Sequence, residues 1–211
     1  MYRFTVASLF FLACVATAQD MPLSEILKPG ETWQPHDGEM PAREAGGYRV
    51  DVKNRSIILD RVMNNPGEPL KHLLKEPTAC VVALGGSQLL VADASDRYIW
   101  AFRIEKDGTL GPGDRYCRLR VLGDERRKRI TPEDKYLADP SAMTIDAANR
   151  TYVATNLGIQ IFDPTGRLCG VITAPPGRVT ELAFKGDQLF ARTERKVYVR
   201  KMLAEGANQT K

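Results

Sequence analysis

Beyond its first eighteen residues the chain reads as short apolar runs separated by Gly, Pro, Asn and Asp. The runs are 80–84, 89–92, 98–104, 117–122, 143–145, 151–154, 159–162, 168–172, 181–184, 189–191 and 196–199. They are rich in Val, Ile, Tyr, Phe and Thr and carry turn residues at both ends, which predicts β-strands. Helical periodicity is nearly absent. Single turns are predicted at 23–27 and 69–74. Strand starts about ten residues apart predict an all-β sandwich, barrel or propeller.

Internal similarity selects among these. Thr78-Ala-Cys-Val-Val-Ala is followed by Gln88-Leu-Leu-Val-Ala-Asp and Tyr98-Ile-Trp-Ala-Phe. The order recurs as Ser141-Ala-Met-Thr-Ile-Asp, Arg150-Thr-Tyr-Val-Ala-Thr and Gly158-Ile-Gln-Ile-Phe. It recurs again as Thr180-Glu-Leu-Ala-Phe, Gln188-Leu-Phe-Ala-Arg and Lys196-Val-Tyr-Val-Arg. A repeat of about 40 residues built from short strands is the pattern of propeller blades. The longer first interval is filled largely by the polar segment 123–139.

Residues 1–18 predict a secretory signal peptide. Arg3 supplies the positive start, Phe4 to Val15 an uncharged apolar stretch, and Ala16-Thr17-Ala18 the small-x-small cleavage pattern before Gln19. The expected location is secreted or periplasmic, with no membrane association after processing. Residues 19–211 form the predicted propeller domain. Of the four cysteines, Cys80, Cys117 and Cys169 remain after cleavage. Cys80 lies in an apolar run, where a thiol packs as a small hydrophobe, so no disulfide is expected.

Charge adds little. Lys and Arg total 30 against 26 Asp and Glu, a net +4 that does not suggest nucleic acid. The basic cluster 126–129 is flanked by acidic residues and reads as a solvated loop. Two histidines, His36 and His72, have no Cys or His neighbour at metal-ligand spacing. Asp93, Asp96 and Asp163 follow strand-like runs, where Asp serves turns.

The segment from Asp139-Pro-Ser-Ala-Met-Thr-Ile-Asp through Ile-Gln-Ile-Phe-Asp-Pro-Thr-Gly-Arg-Leu-Cys-Gly-Val-Ile resembles the gluconolactonase/senescence marker protein (regucalcin) family. So do 179–202 and 76–110, and more faintly 24–34 and Gly38-Glu-Met-Pro-Ala42. The resemblance implies a β-propeller, six-bladed in the family, and divalent-metal-dependent hydrolysis of a small sugar lactone or ester. This chain is shorter and has room for an incomplete propeller of about four blades.

The resemblance also implies a central Ca²⁺ or Zn²⁺ held by a Glu, an Asn and an Asp, the Asp doubling as catalytic base. Glu39 stands at the Glu position, but Thr78 stands at the Asn position and Ser141 at the Asp position. Hydroxyls supply no negative charge to a hard cation, and Ser141 takes up no proton near neutral pH. Asp139, two residues upstream, faces the same way on a strand and can take the carboxylate's place through a register shift. The metal candidates are therefore Glu39, Thr78 and Ser141, and the catalytic candidates Asp139 and Ser141. Glu39 also reads as a solvated loop carboxylate. A noncatalytic binding or structural propeller is the alternative function. An unclosed ring leaves sheet edges unpaired, so self-association is expected.

Overall fold

The computed structural model describes residues 23–42, 47–54, 56–59, 73–121 and 137–207. The predicted leader, the basic cluster 126–129 and most of the 69–74 turn lie outside them. The described residues are nearly all β. One turn of 3-10 helix, Leu23–Glu25, falls within the predicted turn at 23–27.

The first full blade pairs β4 (Pro77–Ala83), β5 (Gln88–Asp93), β6 (Tyr98–Ile104) and β7 (Leu110–Arg118) in that order. The second pairs β8 (Ala142–Ile145), β9 (Thr151–Thr155), β10 (Gly158–Phe162) and β11 (Leu168–Ile172). The third pairs β12 (Val179–Lys185), β13 (Gln188–Thr193) and β14 (Val197–Lys201), and takes its outer strand from the other end of the chain, β1 (Gln34–His36). A hairpin of β2 (Tyr48–Asp51) and β3 (Ser56–Leu59) packs beside β4. Among the described residues, three complete blades plus this reduced unit make an incomplete β-propeller of about four blades, with each inner strand beside the next, β4 to β8 to β12.

Strand periodicity explains why the blades stack. Successive side chains on a strand point to opposite faces. On β4, Ala79, Val81 and Ala83 join one cluster, and Cys80 and Val82 another. On β9, Val153 packs toward the first blade, while Tyr152 and Ala154 pack toward the third. Strands buried on both faces read as continuous apolar runs, which is how most of them were legible. The hairpin covers the outer face of the first blade with Tyr48 and Ile57 against Cys80, Val82 and Val91. The N-terminal segment is tied to the third blade by Ile26, whose carbonyl accepts from Leu203 and Ala204, and to the residue after β11 by Trp33 Nε1, which donates to Thr173 O at 2.7 Å.

The turns share one local solution. Asp93, Asp107 and Asp163 each accept the backbone N–H and the hydroxyl of the residue two positions on: Ser95, Thr109 and Thr165. Such Asx turns close tight connections without help from the core. Asp146 does more. It is fully buried and accepts from Ala148 N, Arg150 N, Arg150 Nε and Tyr152 Oη. None of Cys80, Cys117 and Cys169 forms a disulfide, and burial pushes the Cys117 thiol up to about 12.

One expectation is corrected and one strand was not anticipated. The strand expected at 117–122 overlaps only the end, 117–118, of a strand that runs from Leu110 to Arg118, and 119–121 lie beyond it. Its Gly-Pro-Gly start reads as a turn, but an outer strand tolerates Pro and Gly. Gly113 also lies flat against Phe102, where a Cβ would come within 2.3 Å of the ring. Strand β1, Gln-Pro-His, is polar, three residues long and at a sheet edge, so no hydrophobic pattern marks it.

Two carboxylates generate expectations. Asp146→Ala would leave the buried Arg150 guanidinium unpaired, and a loss of about 3–5 kcal/mol is expected in urea unfolding. Burial pushes Asp163 up, but hydrogen bonds from Thr165 and Arg167 outweigh it and hold the carboxyl below its ordinary range. A depressed folded pKa stabilises above the unfolded value of about 3.9 and is lost as pH falls below it. Asp163→Asn should therefore lower stability at neutral pH and flatten its decline below about pH 4.

Candidate functional site at the propeller axis

Three hydroxyls occupy equivalent places at the start of the inner strands. Thr78 is the second residue of β4, Thr180 the second residue of β12, and Ser141 directly precedes β8. Thr78 Oγ1 donates to Pro140 O at 2.7 Å, and Ser141 Oγ donates to Val179 O at 2.6 Å. In each case the acceptor is the carbonyl just before the equivalent hydroxyl of the next blade. The repeat seen in the sequence thus becomes a repeated latch from blade to blade. Thr180 keeps only a long contact to Arg192 O, 3.4 Å within its own sheet, matching the 3.5 Å contact of Thr78 to Ala92 O.

These residues meet at a central cavity of about 50 Å³ lined by Met40, Pro41, Thr78, Ser141, Thr180 and Glu181 among others. The axis is where a metal was expected. Thr78 and Ser141 both line the cavity there. Glu39 is exposed and adjoins Met40, but is not among the residues lining the cavity. Asp139 points elsewhere: its carboxylate is held by both terminal nitrogens of Arg178, with Nη2 at 3.0 Å from Oδ1. Its backbone is left-handed, φ 49°, rather than extended, so it does not continue the strand that follows Ser141.

Thr180 and Glu181 were missed by sequence reasoning. Alignment of the third repeat with Thr78 and Ser141 was the available signal for Thr180. Glu181 is the carboxylate on the cavity wall, and its Oε1 lies 3.2 Å from Arg192 Nε. Among the described residues no group of three or more His, Cys, Asp and Glu side chains is placed to hold a metal. Three neutral hydroxyls and one carboxylate already facing a guanidinium are a poor match to a hard divalent cation, which takes six to eight oxygens and favours carboxylate charge.

A second, larger opening lies between the second and third blades. It has a volume of about 810 Å³ and is lined by Asp139, Ser141, Asn156, Gly158, Arg178 and Val179 among others. Gly158 is required at its edge. Its φ is 131°, and a Cβ there would sit 2.5 Å from Ile172 O.

The latches predict a measurable cost. Thr78→Ala and Ser141→Ala should each lower unfolding free energy by about 1 kcal/mol, read from urea titration. A double variant losing the sum would show two independent clasps rather than one cooperative ring.

Comparison with known proteins bears on the fold and the family. No curated protein matches the chain in sequence. Among solved structures, a putative gluconolactonase superposes with a TM-score of 0.52 at 16% identity, covering 86% of this chain and 58% of its own. A gluconolactonase from Xanthomonas campestris aligns at 18% identity and a TM-score of 0.46, over 61% of this chain and 40% of its own. A calcium-binding regucalcin from Agrobacterium tumefaciens aligns at 12% and 0.47, over 63% and 47%. The chain therefore spans well under two thirds of the length of these structures. The profile described as the SMP-30/Gluconolactonase/LRE-like region matches residues 43–193, and the chain belongs to that family.

Proposed function

We propose that this chain is an exported gluconolactonase-type propeller that binds a small polar ligand without metal-dependent hydrolysis. One observation carries the reading: the two hydroxyls at the expected metal positions, Thr78 and Ser141, are spent on interblade hydrogen bonds. Donation leaves lone pairs on each oxygen, so weak coordination survives, but no ligand there brings charge. The candidate base is also out of place: Asp139 lines the cleft between the second and third blades beside Arg178, not the axial cavity. Activating water for attack on a carbonyl needs a proton acceptor within hydrogen-bond reach of it, and among the described residues lining the cavity the one carboxylate is that of Glu181, opposite Arg192.

The second reading keeps the family's reaction, hydrolysis of a small sugar lactone or ester. Its support is the family match and the fact that Asp139 and Ser141 line one cleft. The two readings part on metal affinity. The test uses the processed natural protein, whose N-terminus is expected at Gln19. Calorimetric titration should find weak Ca²⁺ and Zn²⁺ binding, and aldonolactone hydrolysis should stay near the uncatalysed rate. Thr78→Asn with Ser141→Asp should raise affinity for the ion by restoring oxygen ligands and charge. Tight metal binding with lactone turnover by the natural protein would overturn the noncatalytic reading.

A further inference from the structure

The cleft between the second and third blades is built unlike the axial cavity. It is bounded by the segment before β8, the β9–β10 turn and the segment linking β11 to β12. Its lining is mixed, with polar Ser141, Asn156 and Arg178 and aliphatic Leu157, Val171 and Ala174. Its volume, about 810 Å³, falls in the range of small-molecule sites, roughly 300–1,000 Å³.

The Asp139–Arg178 pair crosses from one blade to the next at this cleft. Both side chains remain 41–49% exposed, so water screens their attraction and the pair is weak. Asp139 sits with φ 49° directly before Pro140. That backbone region is sparsely populated for any residue except Gly, although Asp tolerates it better than most. The residue before a proline is further restricted toward extended conformations. Asp139 is thus held in an unfavourable backbone state, with its carboxylate docked on the fork of a cation that solvent reaches. The arrangement already displays how Arg178 receives a carboxylate, through two parallel hydrogen bonds.

We propose that this cleft binds a small organic carboxylate, whose carboxylate group replaces Asp139 on Arg178 while its body lies against aliphatic residues of the lining, Leu157, Val171 and Ala174. Asp139 then acts as an internal competitor that keeps the cation paired when the site is empty. The inference rests on the noncatalytic binding reading and names its ligand class.

The test is calorimetric titration of the full processed chain with hexanoate, benzoate and succinate, each beside its neutral amide. At least one carboxylate should bind at least tenfold more tightly than its amide. Arg178→Gln should remove that difference. Asp139→Asn should tighten carboxylate binding severalfold, because affinity scales with the fraction of protein whose binding group is unoccupied. Circular dichroism and urea unfolding check that both variants fold. If the variants unfold, chemical-shift perturbation of Arg178 in the natural protein by each carboxylate and its amide takes their place. Equal response to carboxylate and amide, no response to either, or weaker binding in Asp139→Asn would overturn the site. Weak Ca²⁺ binding alongside such a failure would leave the noncatalytic reading standing. Tight Ca²⁺ binding with lactone turnover would overturn that reading and leave the carboxylate result to stand by itself.

Discussion

A blade with two apolar faces has no stable existence alone, and everything else in this molecule follows from that constraint. On β9 and β10 the residues Tyr152, Val153, Ile159 and Ile161 are all fully buried, although they belong to opposite faces of one sheet. At roughly 1.5–3 kcal/mol per large side chain buried, neither face can be left to water. The second blade must therefore be sandwiched between the first and third. The outer face of the first blade meets the same demand with the β2–β3 hairpin. The third completes its sheet with a strand from near the chain's start.

Stacking of apolar faces is nondirectional and does not by itself fix the angle or register of one blade on the next. Directional contacts supply that. Gln160, fully buried in β10, reaches back to the first blade, where its amide donates to Arg120 O and accepts from Arg120 N. At the axis, the Thr78 hydroxyl ties the start of β4 to Pro140 O, and the Ser141 hydroxyl ties the residue before β8 to the first residue of β12, Val179. These neutral hydrogen bonds between neighbours draw the inner strands together and are worth about 1 kcal/mol apiece.

Much of the fold was legible in the chain because both-face burial writes continuous apolar runs, and because the runs recur in register at Thr78, Ser141 and Thr180. What escaped detection has physical reasons. Strand β1 is short, polar and on an edge, so its pairing with β14 is written in backbone hydrogen bonds, which leave no hydrophobic trace. Strand β7 hides behind Gly-Pro-Gly, where Gly113 is small because Phe102 needs the space. The Asx turns at Asp93 and Asp163 were legible, since their chemistry is local.

The candidate site divides along the same line. Residue type at Thr78 and Ser141 was enough to question a charged metal centre, since that argument concerns what a hydroxyl lacks. What the hydroxyls do instead depended on partners 38 and 62 positions away in sequence, which no local pattern encodes. Asp139 makes the point most sharply. On an ideal strand its side chain would lie on the same face as that of Ser141, and sequence spacing alone places it there. The left-handed backbone at φ 49° breaks that alternation, and Arg178, 39 residues on, captures the carboxylate. A single backbone angle thus turns the carboxylate from the strand face of Ser141 to an ion pair between two blades.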